Sequence, residues 1–230
     1  AIKGLSKTFQ ARLTGEAGGA PIAATFCTSE SEAFDRVTSD SHHSVAGRLS
    51  YGVDRFRQDF HHRYEQMFEK LAKQQNPHTL FITCADSRII PNLITGSEPG
   101  DLFTLRNIGN FVPPFGEDGT PGEGAAVEFA VGVLGVRNSV ICGHSRCGAM
   151  KACIDNTPFE NLPSVRAWVD ELRTNMGPET LSMDPESACK RNIVNQLKNI
   201  SSYPIVQDAT RDGLRVWGWY YDMQKGEILE

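Results

Sequence analysis

Two short β-favouring runs, residues 78–83 and 138–142, lead directly into residue types that bind metal. The first carries Leu80, Phe81 and Ile82 and continues into Cys84-Ala85-Asp86-Ser87-Arg88. The second continues into Gly143-His144-Ser145-Arg146-Cys147-Gly148. Helical patterns lie between and after these runs. Strands that alternate with helices imply a parallel sheet. The expected class is therefore α/β: a mainly parallel β-sheet core flanked by helices, with an N-terminal helical arm.

The remaining pattern fills in that frame. Phe56, Phe60, Tyr64, Met67, Phe68 and Leu71 recur at steps of three and four, which predicts a helix over 53–75 that stops before Pro77. A turn at Glu98-Pro99-Gly100-Asp101 precedes a strand over 102–106. Residues 107–114 are irregular, 116–124 read as a Gly-rich loop, and 125–134 as a buried apolar helix. A short helix is expected over 149–154, and amphipathic helices over 164–174 and 185–201. Residues 203–206 read as a connector. Residues 214–221 alternate around Trp217 and Trp219 as a strand, and Gly226 turns into a final short strand. Residues 1–50 form an arm or linker, with a short helix over 5–13, and 51–230 form one domain.

Composition narrows the function classes. Apolar residues at 40% of 230 can bury a core without disulfide staples. The formal net charge of −5 argues against nucleic acid as the partner, because phosphate affinity comes largely from Lys and Arg. No run approaches the roughly 18 to 20 apolar residues that cross a bilayer. No secretory signal pattern opens the chain, so the six cysteines point to a reducing, cytoplasmic compartment. The chain begins at Ala1 rather than Met, as a trimmed chain or a piece of a longer polypeptide would.

Cys84 and Asp86 follow one strand, and His144 and Cys147 follow another. In open α/β sheets ligands bind beyond the carboxyl ends of the strands, so the two motifs can converge. Two thiolates and an imidazole suit zinc. Neither motif supplies a fourth Cys or His, so the fourth position falls to water or to Asp86. Asp86 and Arg88 flank Ser87 and can pair in one tight loop, which holds the carboxylate off the metal and lowers its pKa. Water on zinc ionises at about pH 7 instead of about 15.7, a figure from zinc enzymes generally and not from this chain. Cys142 and Cys153 read as core residues. Cys27 and Cys189 lack ligand partners in sequence, as do the pairs His42-His43 and His61-His62.

The motifs Cys84-Ala-Asp-Ser-Arg88, Glu98-Pro-Gly-Asp-Leu-Phe103, Arg106-Asn107 and Gly143-His-Ser-Arg-Cys-Gly148 resemble those of the β-class carbonic anhydrases. The resemblance runs from about Tyr51 to the C-terminus. It implies Zn2+ on Cys84, His144 and Cys147, with Asp86 and Arg88 as a catalytic dyad and Asp86 as a fourth ligand in a closed state. Gln75, nine positions before Cys84, and Phe81 in place of a Trp are similar to the plant-like subtype. That subtype's apolar pocket maps onto Phe103, Ile108 and Phe129, where the family often has Val and Tyr at the last two positions. Gln75 and the Gly148 N–H are then the donors to substrate oxygen.

The implied activity is reversible hydration of carbon dioxide to bicarbonate and a proton. Two alternatives share the ligands: a zinc hydrolase of another heterocumulene such as carbon disulfide, and a non-catalytic zinc or bicarbonate-sensing module of a larger protein. The intact Asp86, Arg88 and Gln75 argue against the module. No histidine stands out as a proton shuttle. The family pairs through N-terminal helices, which implies a homodimer or tetramer, and some members are fused to anion transporters.

Overall fold

The computed structural model describes residues 45–116 and 121–230. The helix expected over 5–13, Cys27 and the His42-His43 pair lie outside them. The chain divides into two compact units, one up to Gln74 and the other from Gln75 onward.

In the first unit the described residues form helix α1 (Val45–Arg55), a π-helical turn (Phe56–His61) and helix α2 (Glu65–Leu71). A single helix over 53–75 is expected from the sequence; the helical stretch instead begins earlier and ends at Leu71. The reason lies in the aromatic spacing. Phe56, Phe60, Tyr64 and Phe68 recur every four residues, against 3.6 per α-turn. A wider π turn keeps them together. Phe56 stacks on Phe60 at 5.9 Å, Phe60 meets Tyr64 at 4.7 Å, and Phe68 meets Phe56 at 5.6 Å. His61 stacks on Phe68 at 4.7 Å and joins no three-residue metal-type group among the described residues.

The second unit is a five-stranded sheet in the order β2-β1-β3-β4-β5. Its strands are β1 (Thr79–Cys84), β2 (Leu102–Asn107), β3 (Asn138–His144), β4 (Arg215–Asp222) and β5 (Glu227–Leu229). The first four are parallel and β5 is antiparallel. Every residue of β1 is buried, which explains its unbroken apolar run. Leu80 and Ile82 enter the main core, while Phe81 packs with Val140 and Cys142 on the opposite face, joined by Trp217 and Trp219.

Helices α3 (Pro91–Thr95), α4 (Pro121–Glu128), α5 (Gly148–Ile154), α6 (Pro163–Met176), α7 (Pro185–Ser201) and α8 (Pro204–Arg211) complete the unit. The connector expected over 203–206 is helical because Pro204 starts α8. Proline suits a first helical position, where its missing N–H is no loss. The helix expected to be buried over 125–134 continues from α4 into a π turn (Phe129–Val133). Val127, Ala130 and Val131 are buried, but Phe129 and Val133 are exposed.

Asp184 caps α7 by accepting the N–H groups of Glu186 and Ser187, each at 3.0 Å. The helix then lies close against the sheet. A Cβ on Gly143 would sit 2.8 Å from Ile193 Cγ1, and one on Gly218 would sit 2.8 Å from Leu197 Cδ1. Glycine at both positions is what lets α7 approach β3 and β4. Gly143→Ala should therefore cost about 1–3 kcal/mol through overpacking. Urea unfolding with wild-type stability would refute this contact.

Candidate metal centre

The strands carry their ligands to one place. Cys84 is the last residue of β1 and His144 the last of β3. Cys147 stands at the N-cap of α5, at the end of the short loop that leaves β3. The order β2-β1-β3-β4 makes the gap between β1 and β3 the point where the connections diverge, the usual crevice for a ligand. Cys84 Sγ, Cys147 Sγ and a ring nitrogen of His144 lie within 4.8 Å of one another. All three residues are buried.

The donor chemistry fits a zinc ion. His144 Nδ1 lies 2.9 Å from the Ser145 carbonyl oxygen, which requires the proton on Nδ1. Nε2 is then a bare lone pair, and it is buried without a hydrogen-bond partner. Such an orphan beside two thiols is what a metal ligand looks like without its metal. The Cys84 thiol is pulled down to about 4, first by a hydrogen bond from Cys147, with burial opposing it and His144 and the Gly109 and Asp86 N–H groups assisting. Cys147 is pushed up, first by the same bond and then by burial. A divalent cation between the two sulfurs would let both bind as thiolates.

Asp86 and Arg88 meet as the sequence predicts. Arg88 Nε donates to Asp86 Oδ1 at 2.9 Å and Nη2 donates to Oδ2 at 2.7 Å. The backbone N–H of Arg88 also donates to Oδ1, at 3.0 Å. Arg88 hydrogen-bonded to Asp86 holds its carboxyl well below the usual carboxylate range. Asp86 Oδ2 is 4.0 Å from His144 Nε2, beside the ligand group but outside it. Arg88 Nη2 also donates to the Arg146 carbonyl at 3.2 Å and so ties the two ligand loops together.

The other candidate residues are placed unevenly. Phe103 on β2 and Phe129 on the π turn pack at 5.9 Å between ring centroids. Phe129 and Ile108 are 41% and 43% exposed. Gly148 opens α5, and its N–H therefore lacks a partner within the helix. Gln75 is exposed ahead of β1, and the hydrogen bonds described do not tie it to the ligands. Cys142, Cys153 and Cys189 are free and buried, and burial pushes their thiols up to about 12, 11 and 11. Arg106 has a role that its motif did not reveal. Its Nη2 donates to the Asp86 carbonyl at 2.8 Å and its Nε to the Cys84 carbonyl at 3.2 Å, bracing the backbone between ligand and dyad.

A two-thiolate, one-imidazole centre at the carboxyl edge of a parallel sheet, with a paired carboxylate beside it, defines a catalytic zinc protein. Comparison with known proteins narrows the class. The family profile described as carbonic anhydrase matches residues 79–228. A carbonic anhydrase of Synechococcus elongatus is 40% identical over 193 residues, covering 80% of this chain and 70% of that protein. One from Pseudomonas aeruginosa is 39% identical over 184 residues, covering 77% and 83%. The solved β-carbonic anhydrase CcaA superposes with a TM-score of 0.74 at 40% identity, over 81% of this chain and 87% of that one. A β-carbonic anhydrase of Sordaria macrospora, described as tetrameric, gives 0.67 at 29% identity, over 82% and 95%.

The chain belongs to the β-class carbonic anhydrases, zinc-dependent lyases that hydrate carbon dioxide reversibly to bicarbonate and a proton. This placement selects hydration among the readings that the sequence leaves open. Cys84→Ser, His144→Ala and Cys147→Ser should each lose stoichiometric zinc by elemental analysis, while Cys142→Ser and Cys153→Ser keep it. A ligand variant with full zinc would remove that residue from the centre.

Proposed function

We propose that Asp86 and Arg88 act as the dyad of this hydration, and that Gln75, Phe103, Ile108, Phe129 and Gly148 form the substrate site. The carrying observation is the bidentate Asp86–Arg88 pair, with one carboxylate oxygen 4.0 Å from the metal-facing nitrogen of His144. Zinc, when bound, supplies a water acidic enough to serve as nucleophile near neutral pH.

The side chains do the rest. Asp86 stays ionised because of Arg88, so it accepts a hydrogen bond from the nucleophile and turns its lone pair toward carbon. Arg88 uses both prongs of its guanidinium to fix the carboxylate plane, which Lys could not do. Carbon dioxide is linear and uncharged, and Phe103, Ile108 and Phe129 offer it an apolar wall. The Gly148 N–H and the Gln75 amide donate to oxygen as it gains charge. Asp86→Asn should retain zinc and lose about 100-fold or more in kcat/KM by stopped-flow hydration. Full activity would remove the orienting role. Gln75→Ala should lower turnover at unchanged zinc content.

The chain is further proposed to work as a homodimer or tetramer. Phe56, Phe60 and Tyr64 are 45%, 40% and 38% exposed, a surface of aromatic rings suited to a second copy. Light scattering should give a mass of at least two chains; a stable monomer would contradict it. No helix among the described residues is long and apolar enough to cross a membrane. Five buried free cysteines support a reducing, cytoplasmic setting.

A further inference from the structure

One loop accounts for more hydrogen bonds than the dyad and ligands explain. Between β2 and α4, the carbonyls of Asn107, Ile108, Gly109, Phe111 and Val112 all accept hydrogen bonds. The Asn107 carbonyl accepts from Ala85 N–H at 2.8 Å, next to Cys84. The Ile108 carbonyl accepts from the Trp168 indole Nε1 at 2.7 Å. The Gly109 carbonyl accepts from Asn192 Nδ2 at 2.8 Å, and the Val112 carbonyl from Asn199 Nδ2 at 2.8 Å. Asn192 in turn accepts from Gln196 Nε2 at 2.9 Å, while Gln196 Oε1 accepts the Val112 N–H at 2.9 Å. Asn192 and Gln196 are 1% and 0% exposed. Buried amides at such a density are expensive unless each is satisfied, and here they converge on one backbone segment.

What the segment presents is the Gly109 N–H, which donates to Cys84 Sγ at 3.5 Å. Only glycine fits there. Its φ is +81°, and a Cβ would lie 2.8 Å from Leu172 Cδ2 and 3.1 Å from Ala149 Cβ. The Ile108 carbonyl and the Gly109 N–H belong to the same planar, trans peptide unit. Trp168 therefore grips the oxygen end of the unit whose nitrogen end faces the sulfur. A carbonyl that accepts a hydrogen bond also makes the N–H of its own peptide a stronger donor. Trp168 is itself held, with its ring set edge-on against Phe111 at 5.5 Å.

We propose that Trp168 is a positioning residue of the metal centre: through the Ile108–Gly109 peptide it aims and strengthens the N–H donor to the Cys84 thiolate. Asn192 holds the carbonyl of the next peptide. The donor draws electron density from the sulfur and fixes the direction of its lone pairs, so the strap sets how Cys84 binds its metal. The same grip orients Ile108 in the apolar wall. The proposal rests on the assignment of Cys84 as a metal ligand.

Two measurements on the intact 230-residue chain test it, and neither depends on turnover. With cadmium-113 in place of zinc and 15N-glycine labelling, the Gly109 amide proton should show a scalar coupling to the metal, which can pass only through the N–H···S bond. Trp168→Phe keeps the ring and removes the indole donor. It should weaken that coupling and speed zinc release to a chromogenic chelator by about 10-fold, the scale usual for partners of metal ligands. Asn195→Ala is the control for simple destabilisation. Asn195 is a buried amide of α7 that donates to the Asn175 carbonyl rather than to the strap, so this variant should leave coupling and release unchanged. Absence of the coupling in wild-type protein overturns the proposal even if Trp168→Phe does not fold. So does a Trp168→Phe protein whose coupling and zinc release match wild type. Failure of cadmium to bind Cys84 at all would instead overturn the ligand assignment beneath it.

Discussion

The parallel pairing of β1 with β3 sets the distance on which the centre depends. Their register pairs Ile82 with Ile141 and Thr83 with Cys142, so the two strands run out side by side at Cys84 and His144. A slip of one residue would carry either strand end about 3.3 Å along its axis and pull the two ligands apart. The register is protected because both faces of the pair are buried: Leu80, Ile82 and Ile141 enter one core cluster while Phe81, Val140 and Cys142 enter the other. Neither strand can shift without exchanging large side chains for small ones on both sides. Thr83 adds a polar lock, its hydroxyl donating to the Cys142 carbonyl at 2.9 Å.

Helix α7 turns that register into a rigid site. It crosses close to the sheet at Gly143, one residue before the histidine ligand. From its inner face Asn192, Gln196 and Asn199 reach the strap that presents a donor to Cys84. One helix thus touches the strand that carries His144 and the segment that braces Cys84. Arg106 reaches the Cys84 and Asp86 carbonyls from β2, and Arg88 reaches the Arg146 carbonyl from the opposite loop. Each ligand-bearing turn is held by a partner from another element, as a preorganised centre requires.

These braces mark where the sequence stops being readable. Cys84, His144 and Cys147 were legible because each motif is local and because strand ends in α/β sheets converge by rule. The buried strands and helices α6 and α7 were legible from hydrophobic period. Trp168 and Asn192 were not. An indole within an amphipathic helix reads as packing, and an Asn on a helix reads as surface; only the fold shows that both face one loop. Phe103 and Phe129 were paired through a family resemblance, since nothing in their spacing brings β2 to the π turn. The π turns themselves escape a reading built on a period of 3.6, although a strict repeat of four in Phe56, Phe60, Tyr64 and Phe68 is a signal for one.

Charge ties the dyad to the ligand set. With zinc bound, two thiolates and the Asp86 carboxylate face one dication and the Arg88 guanidinium, and the group is neutral. Without Arg88 the carboxylate would be the uncompensated charge, and it would be drawn onto the metal in the position that the nucleophile needs. The bidentate pair holds both oxygens toward the guanidinium while leaving each a further lone pair. Neutrality also suits the substrate and product in turn. On the proposed reading, carbon dioxide would enter without charge against the apolar residues, and bicarbonate would leave as an anion that meets no excess positive charge. On the proposed reading, the arginine that keeps Asp86 ionised would also keep it from taking the nucleophile's place on a bound metal.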